Sequence, residues 1–289
     1  MLCNLCPRKC GIDRLTQTGF CGGGSNASVS HTMLHHWEEP CISGVNGSGT
    51  VFFSGCQLRC VYCQNRKISR NVSGKEVSAD KLCEIFLSLQ AQGAHNINLV
   101  TPDHYIFQIA EALKQAKEKG LSLPIVYNTS GYVTPQAIRY IGRYVDVYLT
   151  DFKYMSSSLA EKYSSAPDYP EAAKKALEEM VSLQPVCVYD ENGMMKKGVI
   201  VRHLIIPGHT ADSKDVIKYL YETYGDRIVI SIMNQFTPVG LEDYPEINRS
   251  LTTLEYDRVV NYAISLGVKN AYTQEKGTAK ESFIPDFYE

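Results

Sequence analysis

Seven of the ten cysteines fall into two tight groups: Cys56, Cys60 and Cys63 within "SGCQLRCVYCQN", and Cys3, Cys6, Cys10 and Cys21 within "CNLCPRKCGIDRLTQTGFCGGG". Thiols at such short spacing favour metal binding. A structural zinc ion takes a closed tetrahedral shell, so three thiolates in one short loop leave a coordination position open. A cubane iron–sulfur cluster is normally held by four thiolates, one per iron. Three would leave one iron free for an outside ligand, and steps of four and three residues let a single turn of backbone present three sulfurs to three corners. The amino-terminal group carries four thiols, with Pro7, Gly11, Gly19 and Gly22 among them to let the chain fold tightly round an ion. A four-thiolate zinc site and an accessory iron–sulfur cluster both match this pattern, although zinc ribbons more often pair two Cys-x-x-Cys knuckles and only one exists here. Cys41, Cys83 and Cys187 stand alone and read as packing residues.

Behind these loops, short β-rich apolar runs alternate with longer segments of helical period. The runs at 50–55, 96–100, 124–129, 146–152, 198–206 and 228–235 are expected strands. Helices lie between them: Ile106, Ile109, Ala110 and Leu113 recur on one face ahead of Gly120, Pro170 sits in a first turn, and Thr252 with Glu255 matches a capping box. Strands that are apolar throughout and alternate with helices imply a parallel sheet covered by helices. The expected fold is α/β, an incomplete (β/α)6 barrel of parallel strands. It occupies residues 46–275, after a short cysteine-rich segment at 1–45 and before a tail at 276–289. Chemistry in such folds gathers at the carboxyl ends of the strands. Here those ends read "SGCQLRCVYC", "VTPDHY", "NTSGY", "TDFKY", "IPGH" and "NQFTP". Residues 236–250 have no period and read as a loop.

The chain of 289 residues has a net charge of −2 and 44% hydrophobic residues, enough for a sizeable core and too balanced to draw nucleic acid or an anionic membrane surface. Neither a secretory signal nor a membrane-spanning run is visible, so a cytoplasmic protein is expected. Reducing conditions there make metal a better use of seven clustered cysteines than disulfides.

The Cys56, Cys60, Tyr62, Cys63 spacing resembles the hallmark of the radical S-adenosylmethionine (SAM) enzymes. More narrowly, "GSGTVFFSGCQLRCVYCQN" is similar to the pyruvate formate-lyase activating enzymes, and the later strand ends resemble a subgroup related to them. The resemblance implies a 4Fe–4S cluster on the three cysteines, with the amino and carboxylate groups of SAM on the open iron. It further implies reductive cleavage to a 5′-deoxyadenosyl radical and a flavodoxin- or ferredoxin-like electron donor. Tyr62 would lie beside the adenine. "VTPDHY" stands where the superfamily usually carries a glycine–glycine–glutamate stretch, which offers Thr101, Asp103 or His104 as substitutes, Asp103 being equally a helix N-cap. Asn128 takes the place of an aspartate in related activases. Asp151 and Lys153 keep the acid and base of the corresponding motif. Arg202 and Gln235 are pocket candidates, whereas His203 alternates to the opposite face and reads as a core histidine.

The short additions around the expected barrel leave no large domain to enclose a substrate, which favours hydrogen abstraction from a protein or peptide, as in glycyl-radical activation. Modification of a small molecule is the enzymatic alternative. A zinc-binding interaction module would need paired knuckles and a basic aromatic stripe, and an electron-transfer protein would need every cluster fully ligated.

Overall fold

The structure is a computed structural model that describes residues 3–70 and 73–274; the tail at 276–289 lies outside the described residues. The six expected strands are β2 (Ser48–Phe53), β4 (Ile97–Val100), β5 (Ile125–Thr129), β6 (Val147–Asp151), β8 (Met195–Leu204) and β9 (Val229–Met233). They run parallel in that order, β10 (Ala271–Thr273) extends the parallel set beyond β9, and the short β7 (Val188–Tyr189) pairs antiparallel with β8. At the other edge β1 (Ala27–His35), which the sequence does not announce, pairs antiparallel with β2, and β3 (Lys75–Val77) pairs antiparallel with β1. The cysteine-rich amino-terminal segment therefore delivers a strand into the sheet.

Helices α3 (Ala79–Ala91), α4 (Ile106–Glu118), α5 (Pro135–Ile141), α7 (Tyr169–Leu183), α8 (Thr210–Tyr224) and α9 (Thr253–Leu266) cover one face of the sheet, with the shorter α2 (Arg66–Arg70) after the three-cysteine loop and α6 (Ser157–Ser164) after β6. Their starts follow the sequence: Ser78 and Thr134 accept capping bonds, and Thr252 with Glu255 completes the expected capping box. The loop at 236–250 holds neither helix nor strand, and no described helix is long and apolar enough to cross a membrane.

The other face is concave, and its amino-terminal end is closed by a single turn, α1 (Pro40–Ser43). Ile42 and Cys41 pack there against Val126, Val147, Ile200 and Val229, and Asn96 donates to the Ile42 carbonyl at 2.7 Å. Ile42 is fully buried, so Ile42→Ala is expected to cost about 2–5 kcal/mol through lost contact and residual cavity. A urea midpoint for the variant within error of the natural protein would show that α1 does not plug the fold. Cys83 is buried on α3, Cys187 is half-buried, and His203 is buried with Nδ1 bonded to the Phe152 carbonyl at 2.8 Å.

Candidate active site

The three-cysteine loop leaves the end of β2 and turns through left-handed conformations at Gly55 (φ 88°) and Arg59 (φ 57°). It is anchored on several sides. Val61 N–H donates to the Tyr163 carbonyl at 2.9 Å, and Gln57 Nε2 donates to Asp103 at 2.6 Å. The Leu58 N–H points at Cys56 Sγ (3.4 Å) and the Ser164 hydroxyl at Cys60 Sγ (2.9 Å). Ser164 also bonds Tyr154 (2.9 Å), which bonds Tyr62 (2.6 Å), so a line of hydroxyls ends on the Cys60 sulfur.

The loop forms one wall of a cavity of about 250 Å3 at the carboxyl ends of the parallel strands. The wall opposite is charged. Arg202 on β8 donates to Asp151 (3.2 Å), to Asn128 (2.5 Å) and to Glu38 (2.9 Å), while Lys153 pairs with Asp151 at 2.7 Å. Burial works against the Asp151 charge, yet Lys153 and Arg202 beside it hold its pKa below the usual carboxylate value. Lys153 is likewise disfavoured by burial and held charged by Asp151, so its pKa is raised.

Of the residues singled out from the sequence, Cys56, Cys60, Tyr62, Cys63, Thr101, Asn128, Asp151, Lys153, Arg202 and Gln235 line this cavity together. Thr101 does so from the left-handed region (φ 57°), a costly conformation for a β-branched residue that marks the end of β4 as locally strained. Gln235 also accepts from Gln64 through its carbonyl (2.5 Å), tying the loop to the end of β9.

Asp103 and His104, offered by the sequence beside Thr101, stand outside this lining. Asp103 is fully buried behind the loop, where Gln57, Tyr127 (2.9 Å) and Thr129 (2.6 Å) all donate to it. Burial outweighs these donors and raises its pKa. It braces the loop and does not cap α4, whose N-cap is Tyr105. His104 packs on Tyr105 and bonds the Ser54 carbonyl at 2.8 Å; burial lowers its pKa to about 4, so it is a neutral structural ring.

Glu38 is the residue the sequence reading missed. It rises from the α1 end of the fold, lines the cavity, and accepts from Asn98 (2.9 Å), Asn128 (3.2 Å) and Arg202. Its only signal in the sequence is an acidic pair ahead of a proline, "HHWEEP". Trp37, beside it, also lines the cavity and is 59% exposed, so the cavity reaches solvent next to β1.

The amino-terminal cysteines form a second thiol group. Cys21 is buried, accepts from Gly23 N–H (3.4 Å) and Arg14 (3.3 Å), and the four thiols are near enough for Cys21, Cys10 and Cys3 each to oppose ionisation of Cys6, which burial already pushes up to about 12.

Residues 50–220 match the family model of the radical SAM superfamily, across most of the sheet and every thiol of the cavity. The chain belongs to this superfamily. An uncharacterised protein of Methanocaldococcus jannaschii is 28% identical over 271 residues, covering 90% of this chain and 74% of its own length. A pyruvate formate-lyase-activating enzyme of Clostridium pasteurianum is 28% identical over 223 residues, 71% of this chain and 82% of that one. Among solved structures, Streptococcus suis SuiB bound to S-adenosylmethionine superposes with a TM-score of 0.53 at 15% identity, over 77% of this chain and 48% of SuiB, a likeness of fold. The chain thus spans about half of SuiB.

Membership in the radical SAM superfamily implies a 4Fe–4S cluster and SAM, and the residues fit both. Burial pushes the Cys56 thiol up to about 12 and raises that of Cys63, so thiolates in this loop need a cationic centre among them. Iron supplies that charge, because a coordinating thiol is deprotonated outright. Lys153 and Arg202 suit the carboxylate of an amino acid, and Asp151 and Glu38 suit its ammonium group. Among the described residues, Asp151 is the one acceptor within hydrogen-bond distance of Lys153 Nζ, which leaves donors of that ammonium for the cavity.

Proposed function

We propose that this protein holds a 4Fe–4S cluster on Cys56, Cys60 and Cys63, binds SAM against the Lys153–Asp151–Arg202–Glu38 array, and directs the resulting radical at a polypeptide. Bound there, the two groups supply one-electron cleavage of the sulfonium's bond to C5′, releasing methionine and a 5′-deoxyadenosyl radical that abstracts hydrogen. The chain's own residues do the placing. Lys153 and Arg202 hold the carboxylate, Asp151 and Glu38 the ammonium, and Tyr62 offers a buried ring face beside the loop for the adenine.

The observation that carries the reading is the pairing, in one small cavity, of three thiols on one wall with a neutralised charge array on the other. The cavity opens to solvent beside Trp37, which is 59% exposed, so a hydrogen-bearing carbon carried on a loop of a polypeptide can reach it from the rim. The similarity to a pyruvate formate-lyase-activating enzyme supports abstraction from a protein backbone, leaving a glycyl-type radical.

The test is anaerobic protein, SAM, a reduced flavodoxin-type or ferredoxin-type donor, and lysate fractionated by size. The expected result is 5′-deoxyadenosine together with a stable organic radical, or a mass change, on a polypeptide. Turnover that follows only the low-molecular-weight fraction would overturn the polypeptide assignment in favour of a small molecule and leave the SAM chemistry standing.

A further inference from the structure

We infer that Cys3, Cys6, Cys10 and Cys21 hold a second iron–sulfur cluster, through which electrons enter the site of Cys56, Cys60 and Cys63. The relay part rests on the function proposed above; the cluster part does not.

The segment is built around the four thiols. Lys9 (φ 44°), Gly11 (φ 62°) and Gly22 (φ 79°) turn the chain back on itself, Cys3 N–H donates to the Ile12 carbonyl (2.9 Å), and Gly11 N–H returns to the Cys3 carbonyl (3.1 Å). Gly19 faces the group: a Cβ there would lie 3.5 Å from Cys10 Sγ and 3.6 Å from Cys21 Sγ. The Gly23 N–H and the Arg14 guanidinium are aimed at Cys21 Sγ, and such donors to sulfur set the potential of iron–sulfur clusters.

The position of the group decides between metals. Zinc carries no redox chemistry, whereas four thiols seated against the three-cysteine loop, with the Gly23 N–H and Arg14 aimed at one sulfur, suit a centre that passes electrons.

The two groups touch. A Cβ on Gly55, the residue before Cys56, would collide with the Cys21 carbonyl oxygen, so glycine is what allows the segment to seat. Arg8, between Cys6 and Cys10, donates to the Gln57 carbonyl (3.0 Å) inside the three-cysteine loop and to the Ser164 carbonyl (3.0 Å), whose hydroxyl bonds Cys60 Sγ. Phe20 lies between the guanidiniums of Arg8 (4.3 Å) and Arg59 (4.8 Å). This contact gives an electron a protein path from one group to the other. In the step proposed, a reduced flavodoxin-type or ferredoxin-type donor loses one electron, the amino-terminal cluster gains it and passes it on, and the first cluster spends it on the SAM C5′–S bond.

The experiment compares anaerobically reconstituted natural protein with two variants, Cys56→Ala/Cys60→Ala/Cys63→Ala and Cys3→Ser/Cys10→Ser, the latter confined to half-exposed thiols so that buried Cys21 keeps its packing. Iron and sulfide should be about eight per chain in the natural protein and about four in the triple variant, which should still show an electron paramagnetic resonance signal on reduction. Zinc, or neither metal, in the triple variant overturns the cluster. In the double variant, reduction of the first cluster by the flavodoxin-type donor, followed by freeze-quench spectroscopy without SAM turnover, should slow by at least about tenfold. Dithionite, small enough to reach the cavity, should reduce it at the natural rate. Equal slowing with both reductants, or none with either, overturns the relay. A natural protein that binds both clusters yet never cleaves SAM would instead count against the proposed function.

Discussion

Replacing Cys60 with alanine is expected to abolish SAM cleavage, reducing 5′-deoxyadenosine release to that of protein without metal. Cys60 is buried, and its sulfur receives the Ser164 hydroxyl at the end of the Tyr62–Tyr154–Ser164 line. Its loss exposes a second iron to outside ligands and removes the negative charge that helps keep Lys153 protonated. Both walls of the cavity change together. Ser164→Ala provides the graded comparison: the ligand stays and only its donor goes, so activity and cluster retention should fall by about 10–100-fold. Product release by chromatography and the spectroscopic response of the cluster to SAM measure both variants. Reductant-dependent 5′-deoxyadenosine from the Cys60 variant would remove the three-cysteine loop from the chemistry.

The parallel strands were legible because each is apolar on both faces, a pattern that few other environments produce. β1 was not, because "ASVSHTMLH" is an antiparallel, half-buried strand with two histidines and alternating polar residues. The cavity was legible wherever a motif residue sits at a strand end pointing inward, as Asp151 and Arg202 do. Asp103 and His104 lie outside the cavity lining beyond a single unusual backbone angle. Thr101 takes a positive φ, which turns the chain so that the next side chains pass behind the loop, and nothing in "VTPDHY" announces that for a threonine. Asp103 keeps a part in the site at one remove, since its bond to Gln57 fixes where the cysteines stand. Glu38 was hidden for another reason. It comes from the opposite end of the fold and meets Arg202 only once α1 has closed the concave face, a contact of 164 residues' separation that no local pattern encodes.

That contact sets the second large effect, expected from Arg202→Met. The arginine is mostly buried and compensates two carboxylates, Glu38 and Asp151, while holding the Asn128 side chain. Methionine fills similar volume and leaves both acids short of a cation, so the loss of stability at neutral pH should be about 3–5 kcal/mol, as for other broken buried pairs. The pH dependence gives this a sign. Asp151 has a folded-state pKa held below its unfolded value, so its contribution is present above the unfolded value of about 3.9 and is lost as pH falls through the folded value. The deficit of the variant should therefore be greatest near neutrality and shrink as pH falls below about 3.9 and on through the lower folded-state value of Asp151. Arg202→Met/Glu38→Gln, which removes one of the stranded charges, should recover part of the loss but not SAM binding, because the contact for the carboxylate stays absent. Denaturation midpoints from pH 3 to 8, alongside SAM binding by calorimetry, separate the two roles. A deficit that does not vary with pH would mean that Arg202 acts through packing alone, and undiminished SAM affinity would take it out of the binding array.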